Sequence, residues 1–194
     1  MEKNLKDKFI EIYKTHIKRE GADALLEFLE KSDFFKAPAS TKFHSAYEGG
    51  LLAHSINAYN RFLKLVKMEY GEDYSKIISD ESIAICGLLH DICKVNYYKV
   101  DYRNVKENGE WVSKPYYTVE DTLPYGHGEK SVYIISGFMK LTREEAMIIN
   151  WHMGAFDKRV AGGSYSIADA FYKYPNALLF HIADLECTYL DEER

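Results

Sequence analysis

Residues Ile83-Ala84-Ile85-Cys86-Gly87-Leu88-Leu89-His90-Asp91-Ile92-Cys93-Lys94 form an apolar run that ends in an adjacent imidazole and carboxylate. The run predicts a buried helix that begins near Asp80, where Ser79 or Asp80 can cap it. Burying His90 and Asp91 without partners would cost roughly 2–7 kcal/mol for a polar group and more for a charge. Neutral imidazole and ionised carboxylate are good ligands for first-row metals, so this segment predicts a buried metal site.

Residues of the same two kinds recur on both sides of this segment, as His54, His127, His152 and Asp184. A single histidine is common in a core or on a surface and predicts nothing alone. His54 lies on a predicted apolar helix, and His127 and His152 stand close to glycines. His181 and Asp184 are three residues apart on a predicted helix and therefore share a face. The recurrence predicts a metal hydrolase.

Size and composition indicate an ordinary globular domain. A chain of 194 residues with 46% apolar and 28% charged residues suits one domain with a full core. The net charge of -5 argues against a general nucleic-acid coat protein. We expect a cytoplasmic protein without a membrane partner, because we find neither a signal-peptide core nor an apolar run of about 20 residues. The odd number of cysteines predicts reduced structural thiols.

The sequence predicts a mostly helical chain that is interrupted by one β segment. Helical segments are predicted near 5–17, 22–31, 48–69, 80–90, 128–139 and 142–151, with a last helix opened by Pro175. Thr142 has capping-box spacing to Glu145. The segment 95–120 is rich in Tyr, Val and Trp, and Asn108-Gly109 at its middle predicts a β-hairpin. A lone hairpin is marginally stable, so we expect it to lie on the helical body. The predicted class is all-α with one inserted β-hairpin around residues 95–120.

Three segments carry a resemblance to a known family: Gly49-Gly50-Leu51-Leu52-Ala53-His54-Ser55, Leu88-Leu89-His90-Asp91-Ile92-Cys93-Lys94 and Ile182-Ala183-Asp184-Leu185. They resemble the HD superfamily of metal-dependent phosphohydrolases over about residues 43–192. The first segment looks especially like the HD domains attached to some bacterial 3′-to-5′ exoribonucleases, which share a histidine where His44 stands.

This resemblance implies a single HD-type helical domain over 1–194, with N-terminal helices in 1–42, a metal-binding core in 43–192 and a hairpin insertion at 95–120. It also implies a ligand set. One divalent ion would be held by His54, His90, Asp91 and Asp184. In members with two ions, His127 and His152 would hold the second, with Asp91 bridging. The number of ions, and the choice among Mn, Fe, Mg, Ni and Zn, stay open. Cys93 replaces the glycine usual in the His-Asp-x-Gly-Lys form of the motif.

We expect Asp91 and Lys94 to act in catalysis, with the Lys94 ammonium on a nonbridging phosphate oxygen. Cations and aromatic rings that alternate along the hairpin can stack a base and hold a phosphate. The candidate substrate-binding residues are Lys94, His44, Trp111, Tyr116 and Arg103. The alternative is a hairpin that packs on the helices or on a second subunit, and a homodimer is compatible with the sequence.

The resemblance therefore implies a metal-dependent phosphohydrolase that cleaves a phosphomonoester or phosphodiester bond. Its substrate would be a small phosphorylated molecule, a nucleotide or oligonucleotide, and nucleic acid would serve only as a short single strand. One alternative is a nucleotide-binding sensor module with little turnover. Another is a di-iron oxygenase on the same ligands, because some HD-like proteins do oxidative chemistry.

Overall fold

The computed structural model describes residues 4–43 and 45–192. It is mostly helical and carries one two-stranded antiparallel sheet. The prediction of a helical protein with an inserted hairpin is confirmed at this level. The expectation for His44 lies outside the described residues.

Nine α-helices and two strands follow one another along the described chain. Short 3-10 turns at Gly71–Lys76, Ile92–Lys94 and Gly154–Phe156 connect some of them, and a π-helical turn at Cys187–Asp191 follows the last helix. The elements are α1 (Leu5–His16), α2 (Ala22–Lys31), α3 (Gly50–Tyr70), α4 (Asp80–Leu89), β1 (Tyr98–Glu107), β2 (Glu110–Val119), α5 (His127–Ser136), α6 (Arg143–Trp151), α7 (Lys158–Ala161), α8 (Ser166–Lys173) and α9 (Pro175–Glu186).

Helix α4 is the centre of the core. Every residue from Ile83 to Leu89 is buried, because α1, α3 and α6 all pack against this helix. Helix α9 packs on α3 and α6 and completes the bundle around the end of α4. The three cysteines are buried and unpaired, as predicted. None of the described helices has the length and hydropathy needed to cross a membrane.

The predicted helix starts are confirmed. The Ser79 side chain accepts a hydrogen bond from the backbone N–H of Ser82 and caps α4. Thr142 and Glu145 form the capping box of α6. Pro175 is the first residue of α9, where its missing N–H costs nothing. Helices α7 and α8 were not predicted.

A buried ion pair ties the N-terminal helices to this bundle. Arg19, between α1 and α2, donates from Nη1 and Nη2 to the two Glu145 oxygens at 2.8 Å each. Glu145 is fully buried, and Ser82 also donates to it. The backbone N–H of Thr142 donates as well, so three residues satisfy the carboxylate.

The predicted hairpin is confirmed, with ten residue pairs from Tyr98–Val119 to Glu107–Glu110. Asn108 and Gly109 have φ angles of 50° and 91°, as a type I′ turn requires. Residues directly opposite each other share a face, so the pairs Val100–Tyr117, Tyr102–Pro115 and Lys106–Trp111 make one largely apolar face.

The expectation that the hairpin lies on the helical body is wrong for most of its length. On the apolar face, Val100, Tyr102 and Trp111 are 55%, 66% and 71% exposed. The base of the hairpin is attached, because the Tyr98 hydroxyl donates to the Ala39 carbonyl oxygen at 3.1 Å. Alternation in the sequence predicted a two-faced ribbon, but it carries no information on which surface covers either face.

Candidate metal centre

Four side chains bring one nitrogen or oxygen atom each to a single point in the core. His54 lies in α3, His90 and Asp91 follow α4, and Asp184 lies in α9. The Nε2 atoms of His54 and His90 are 3.1 Å apart, and His54 Nε2 lies 3.4 Å from Asp91 Oδ2 and 3.2 Å from Asp184 Oδ1. Neighbouring ligands on an ion with bonds of about 2.1 Å are about 3.0–3.4 Å apart. His90 Nε2 lies farther from the two carboxylates, at 3.6 Å from Asp91 Oδ2 and 3.8 Å from Asp184 Oδ1. These four residues, the first group, could hold one divalent ion.

The other oxygen of Asp91 faces two further histidines. His127 begins α5, and its Nε2 lies 2.7 Å from Asp91 Oδ1. His152 follows α6, and its Nε2 lies 3.5 Å from the same oxygen. Asp91 thus turns Oδ2 towards the other members of the first group. Its Oδ1 faces His127 and His152, which we call the second group. The six residues that the sequence singled out as ligands lie together: His54, His90, Asp91, His127, His152 and Asp184.

A glycine allows the close approach that joins the first group. A Cβ atom at Gly87 would lie 2.5 Å from the Tyr59 Cα, so α4 meets α3 backbone to backbone. His90 stands one turn after Gly87, and His54 lies on the same helix as Tyr59. Gly128 at the start of α5 does the same for the second group, since a Cβ there would lie 2.3 Å from a carbonyl oxygen near the end of α6.

Hydrogen bonds on the far side of the rings orient three of these histidines. His90 Nδ1 and His152 Nδ1 each lie within 3.0 Å of the carbonyl oxygen three residues earlier. His54 Nδ1 lies 2.8 Å from Glu192 Oε1. Because a carbonyl oxygen can only accept, Nδ1 of His90 and of His152 carries the proton, and Nε2 of a neutral ring then turns its lone pair towards the cluster. This is the tautomer that a metal ligand needs.

A buried nitrogen without a partner at the centre fits a bound cation. The Nε2 atoms of His54 and His90 lie 3.1 Å apart. Among residues 4–43 and 45–192, His152 Nε2 is the single fully buried side-chain nitrogen or oxygen without a hydrogen-bond partner. A buried polar atom without a hydrogen-bond partner lowers the stability of the folded protein by about 1–3 kcal/mol. Neutral imidazoles and carboxylates are the donors that divalent metals prefer, so the residues present could hold a metal ion.

Protonation states of three ligands agree with this donor set, and that of His54 does not. Burial acts to lower the pKa of His54, but Cys187, Asp184 and Glu192 outweigh it and hold that pKa well above its usual value, so an ion bound by His54 must displace a proton. Burial lowers the pKa of His90 to about 3, so this ring is neutral at pH 7. Burial acts to raise the pKa of Asp91, but Lys94, His90 and His127 outweigh it and hold that pKa well below its usual value. Burial likewise acts to raise the pKa of Asp184, and hydrogen bonding to His54 outweighs it. Both carboxyl groups are therefore ionised.

His127 differs from the other histidines in its exposure and its neighbours. Its side chain is 30% exposed, and the Cys93 Sγ lies 3.5 Å from its Nδ1. Burial acts to lower the pKa of His127, but Cys93 and Asp91 raise it to about 10. A metal ion bound by His127 must therefore displace a proton. The Cys93–His127 contact was not predicted, although Cys93 stood out as the departure from the family motif.

Lys94 lies inside the cluster and not on the surface. It is 8% exposed, and its Nζ donates to Asp91 Oδ2 at 2.6 Å. Burial acts to lower the pKa of Lys94, but the charge of Asp91 outweighs it and the net shift is upward. The ammonium therefore stays charged beside the oxygen that faces the first group.

The substrate-binding candidates on the hairpin are divided between its two faces. Trp111 is on the apolar face, whereas Tyr116 and Arg103 are on the opposite face, where the guanidinium lies 5.2 Å from the Tyr116 ring centre. Trp111 pairs with Lys106, eight residues along β1 from Tyr98, which is about 27 Å at about 3.4 Å per residue. Trp111 and Tyr116 therefore cannot both contact one base.

Two residues near the cluster have supporting contacts. Glu192 is a contact of His54 that sequence reasoning missed, since 138 positions separate the two residues and no motif links them. His181 Nδ1 lies 2.7 Å from the His152 carbonyl oxygen, and the His181 ring stacks on Phe171.

Comparison with known proteins yields no match. No protein-family model matches the chain, and neither a curated protein nor a solved structure matches it. The resemblance to the HD superfamily therefore rests on the quoted motifs, and the candidate site rests on the geometry of six side chains.

Proposed function

We propose that this protein is a metal-dependent phosphohydrolase of the HD class. It would cleave a phosphomonoester or phosphodiester bond, in a nucleotide or a short oligonucleotide. The observation that supports this most is the carboxylate of Asp91, which turns one oxygen to the first group and the other to the second. A carboxylate between two cations suits phosphoryl transfer, where negative charge develops on several oxygens.

Divalent ions held by the two groups would neutralise the phosphate charge and lower the pKa of a bound water from about 15.7 towards about 7. The chain itself contributes the buried Lys94 ammonium, with donors beyond the one it gives to Asp91. Such a donor can meet a nonbridging phosphate oxygen in a site that excludes water.

The open side of the cluster indicates where a substrate would enter. The side chains of His54, His90, Asp91 and His152 are at most 3% exposed, whereas those of Asp184 and His127 are 14% and 30% exposed. A phosphate would therefore approach between the start of α5 and α9.

The metal-dependent part of the proposal is tested on the full chain. Metal content is measured first, followed by hydrolysis of an aryl phosphodiester, an aryl phosphomonoester and a panel of nucleotides. Substituting alanine for His90 or Asp91 should remove metal and activity together. His16→Ala is the control, because this histidine lies on α1 outside the cluster.

Full metal occupancy in Asp91→Ala would refute the site. A metal-loaded protein that turns over none of the substrates would favour the nucleotide-sensor alternative. Activity only with iron, lost on exchange for manganese, would favour the oxygenase.

The nucleotide part needs a test of its own. Base stacking is worth roughly 1–3 kcal/mol, so loss of the right ring should raise KM for a nucleotide by about tenfold. Trp111 and Tyr116 lie on opposite faces, so only one of Trp111→Ala and Tyr116→Ala should have this effect. If Tyr116 is that residue, Arg103→Ala should weaken binding as well. Hydrolysis of an aryl phosphate should change little in any variant. Equal effects on both substrates, or none, would remove the hairpin from the substrate site.

A further inference from the structure

The C-terminal segment reaches the candidate metal centre through one buried carboxylate. Glu192 Oε1 lies 2.8 Å from His54 Nδ1, and Glu192 Oε2 accepts a hydrogen bond from the Ser45 hydroxyl at 2.7 Å. The side chains of Glu192 and His54 are both 2% exposed. Burying an ionised carboxylate costs several kcal/mol unless strong hydrogen bonds compensate it. Contacts of this kind at a buried carboxylate indicate a specific role and not a chance surface contact.

His54 is supported differently from the other oriented histidines of the cluster. The Nδ1 atoms of His90 and His152 use carbonyl oxygens of their own helices, three residues earlier. His54 instead uses a carboxylate that is 138 positions away in the sequence. A charged acceptor makes a stronger hydrogen bond than a neutral carbonyl. It also raises the electron density on the opposite nitrogen, here the Nε2 atom that faces the first group.

The segment that carries Glu192 is anchored beside His54. The π-helical turn Cys187–Asp191 continues from α9, and its last residue, Asp191, accepts a hydrogen bond from Arg61 Nε of α3 at 2.7 Å. Arg61 also contacts Glu186 at 3.2 Å. Since His54 and Arg61 lie on the same helix, this turn brings Glu192 to the far side of the ligand ring.

We propose that Glu192 is a positioning residue for the first metal ion. It holds His54 with a protonated Nδ1, aims Nε2 at the ion and strengthens this nitrogen as a donor. The inference rests on the proposed metal centre, and it adds that tight binding at the first group needs Glu192. Loss of such a supporting carboxylate weakens metal binding by about 10–100-fold.

The test is a chelator competition with Zn²⁺ and with Mn²⁺ on the full chain, using wild type, Glu192→Gln and Asp191→Asn. Glutamine keeps the shape of the side chain and removes its charge. Asp191→Asn is the matched control, because asparagine removes a charge from the same segment, keeps an oxygen that can accept from Arg61 and does not touch His54. We expect 10–100-fold weaker binding of one ion in Glu192→Gln and wild-type binding in Asp191→Asn.

Proton NMR of the histidine ring N–H groups gives a readout that a purely structural role would not move. In Zn²⁺-loaded wild type, the proton on His54 Nδ1 should resonate far downfield because it is donated to a carboxylate, and in Glu192→Gln it should move upfield. Equal weakening in both variants, or an unchanged shift of that proton in Glu192→Gln, overturns the inference in favour of general anchoring of the segment. Wild-type metal affinity in Glu192→Gln overturns the role of Glu192 and leaves the proposed metal centre standing. A wild-type protein that binds neither ion overturns the metal centre itself.

Discussion

Replacing Gly87 with alanine should loosen the joint between α3 and α4 that brings His54 to His90. The added Cβ would lie 2.5 Å from the Tyr59 Cα, whereas carbon atoms in contact prefer about 3.5–4.0 Å. The helices must therefore separate by about 1 Å. Overpacking of this kind costs about 1–3 kcal/mol, and the better helix propensity of alanine returns about 1 kcal/mol. We expect a net loss of about 0–2 kcal/mol, or up to about 8 °C in Tm for a chain of this size.

Metal binding should suffer as well as stability, because the shift separates two nitrogens of the first group. We expect binding to weaken by about tenfold or more in a chelator competition. Ile85→Val on the same helix is the control, since it costs about 0.5–1.5 kcal/mol without forcing α3 away. It should leave metal affinity unchanged. A Gly87→Ala protein that is more stable than wild type, or that binds metal as wild type does, would refute the reasoning.

Three further predictions concern the second group and the buried ion pair. His152→Ala should lower metal stoichiometry from two to one by elemental analysis, and an unchanged value would leave a mononuclear site. The pKa of His127 is raised to about 10, so its contribution to the stability of the metal-free protein is full below about pH 6.5 and disappears as pH rises through about 10. Since metal must displace this proton, affinity should rise up to about tenfold per pH unit below pH 10, and His127→Ala should flatten the profile. Arg19→Ala leaves the Glu145 charge buried and should cost about 3–5 kcal/mol in urea unfolding, whereas Lys31→Ala at an exposed pair should cost under about 1 kcal/mol.

Local chemistry explains which parts of the fold the sequence predicts. Asn108-Gly109 specifies its turn because few other pairs adopt positive φ twice, and Thr142 caps α6 through a residue three positions away. Helix α8 was missed because Gly162-Gly163 precedes it, and glycine pairs usually mark loops. Its apolar stripe is also short, with Ala170 as its one buried residue.

Contacts of the candidate site between residues far apart in the sequence are harder to predict. His90-Asp91 is recognisable because a buried run ends in two polar groups that need a partner. The contact between Glu192 and His54 has no such pattern, since it depends on how α9 and its terminal turn pack on α3. The exposure of the hairpin was not predicted for the same reason. Alternating residues specify the two faces of a ribbon but not which neighbour, if any, covers them.

The exposed tip of the hairpin divides the ligands of the candidate centre equally. A protease that cuts between Asn108 and Gly109 would leave His54, His90 and Asp91 on one fragment. The other fragment would carry His127, His152 and Asp184, so the first group would be divided between the pieces and the second group would be separated from Asp91. The nicked halves should consequently reassociate far better with divalent metal than without it. The tip of this ribbon is then a natural place to split the chain into two fragments whose complementation reports the metal.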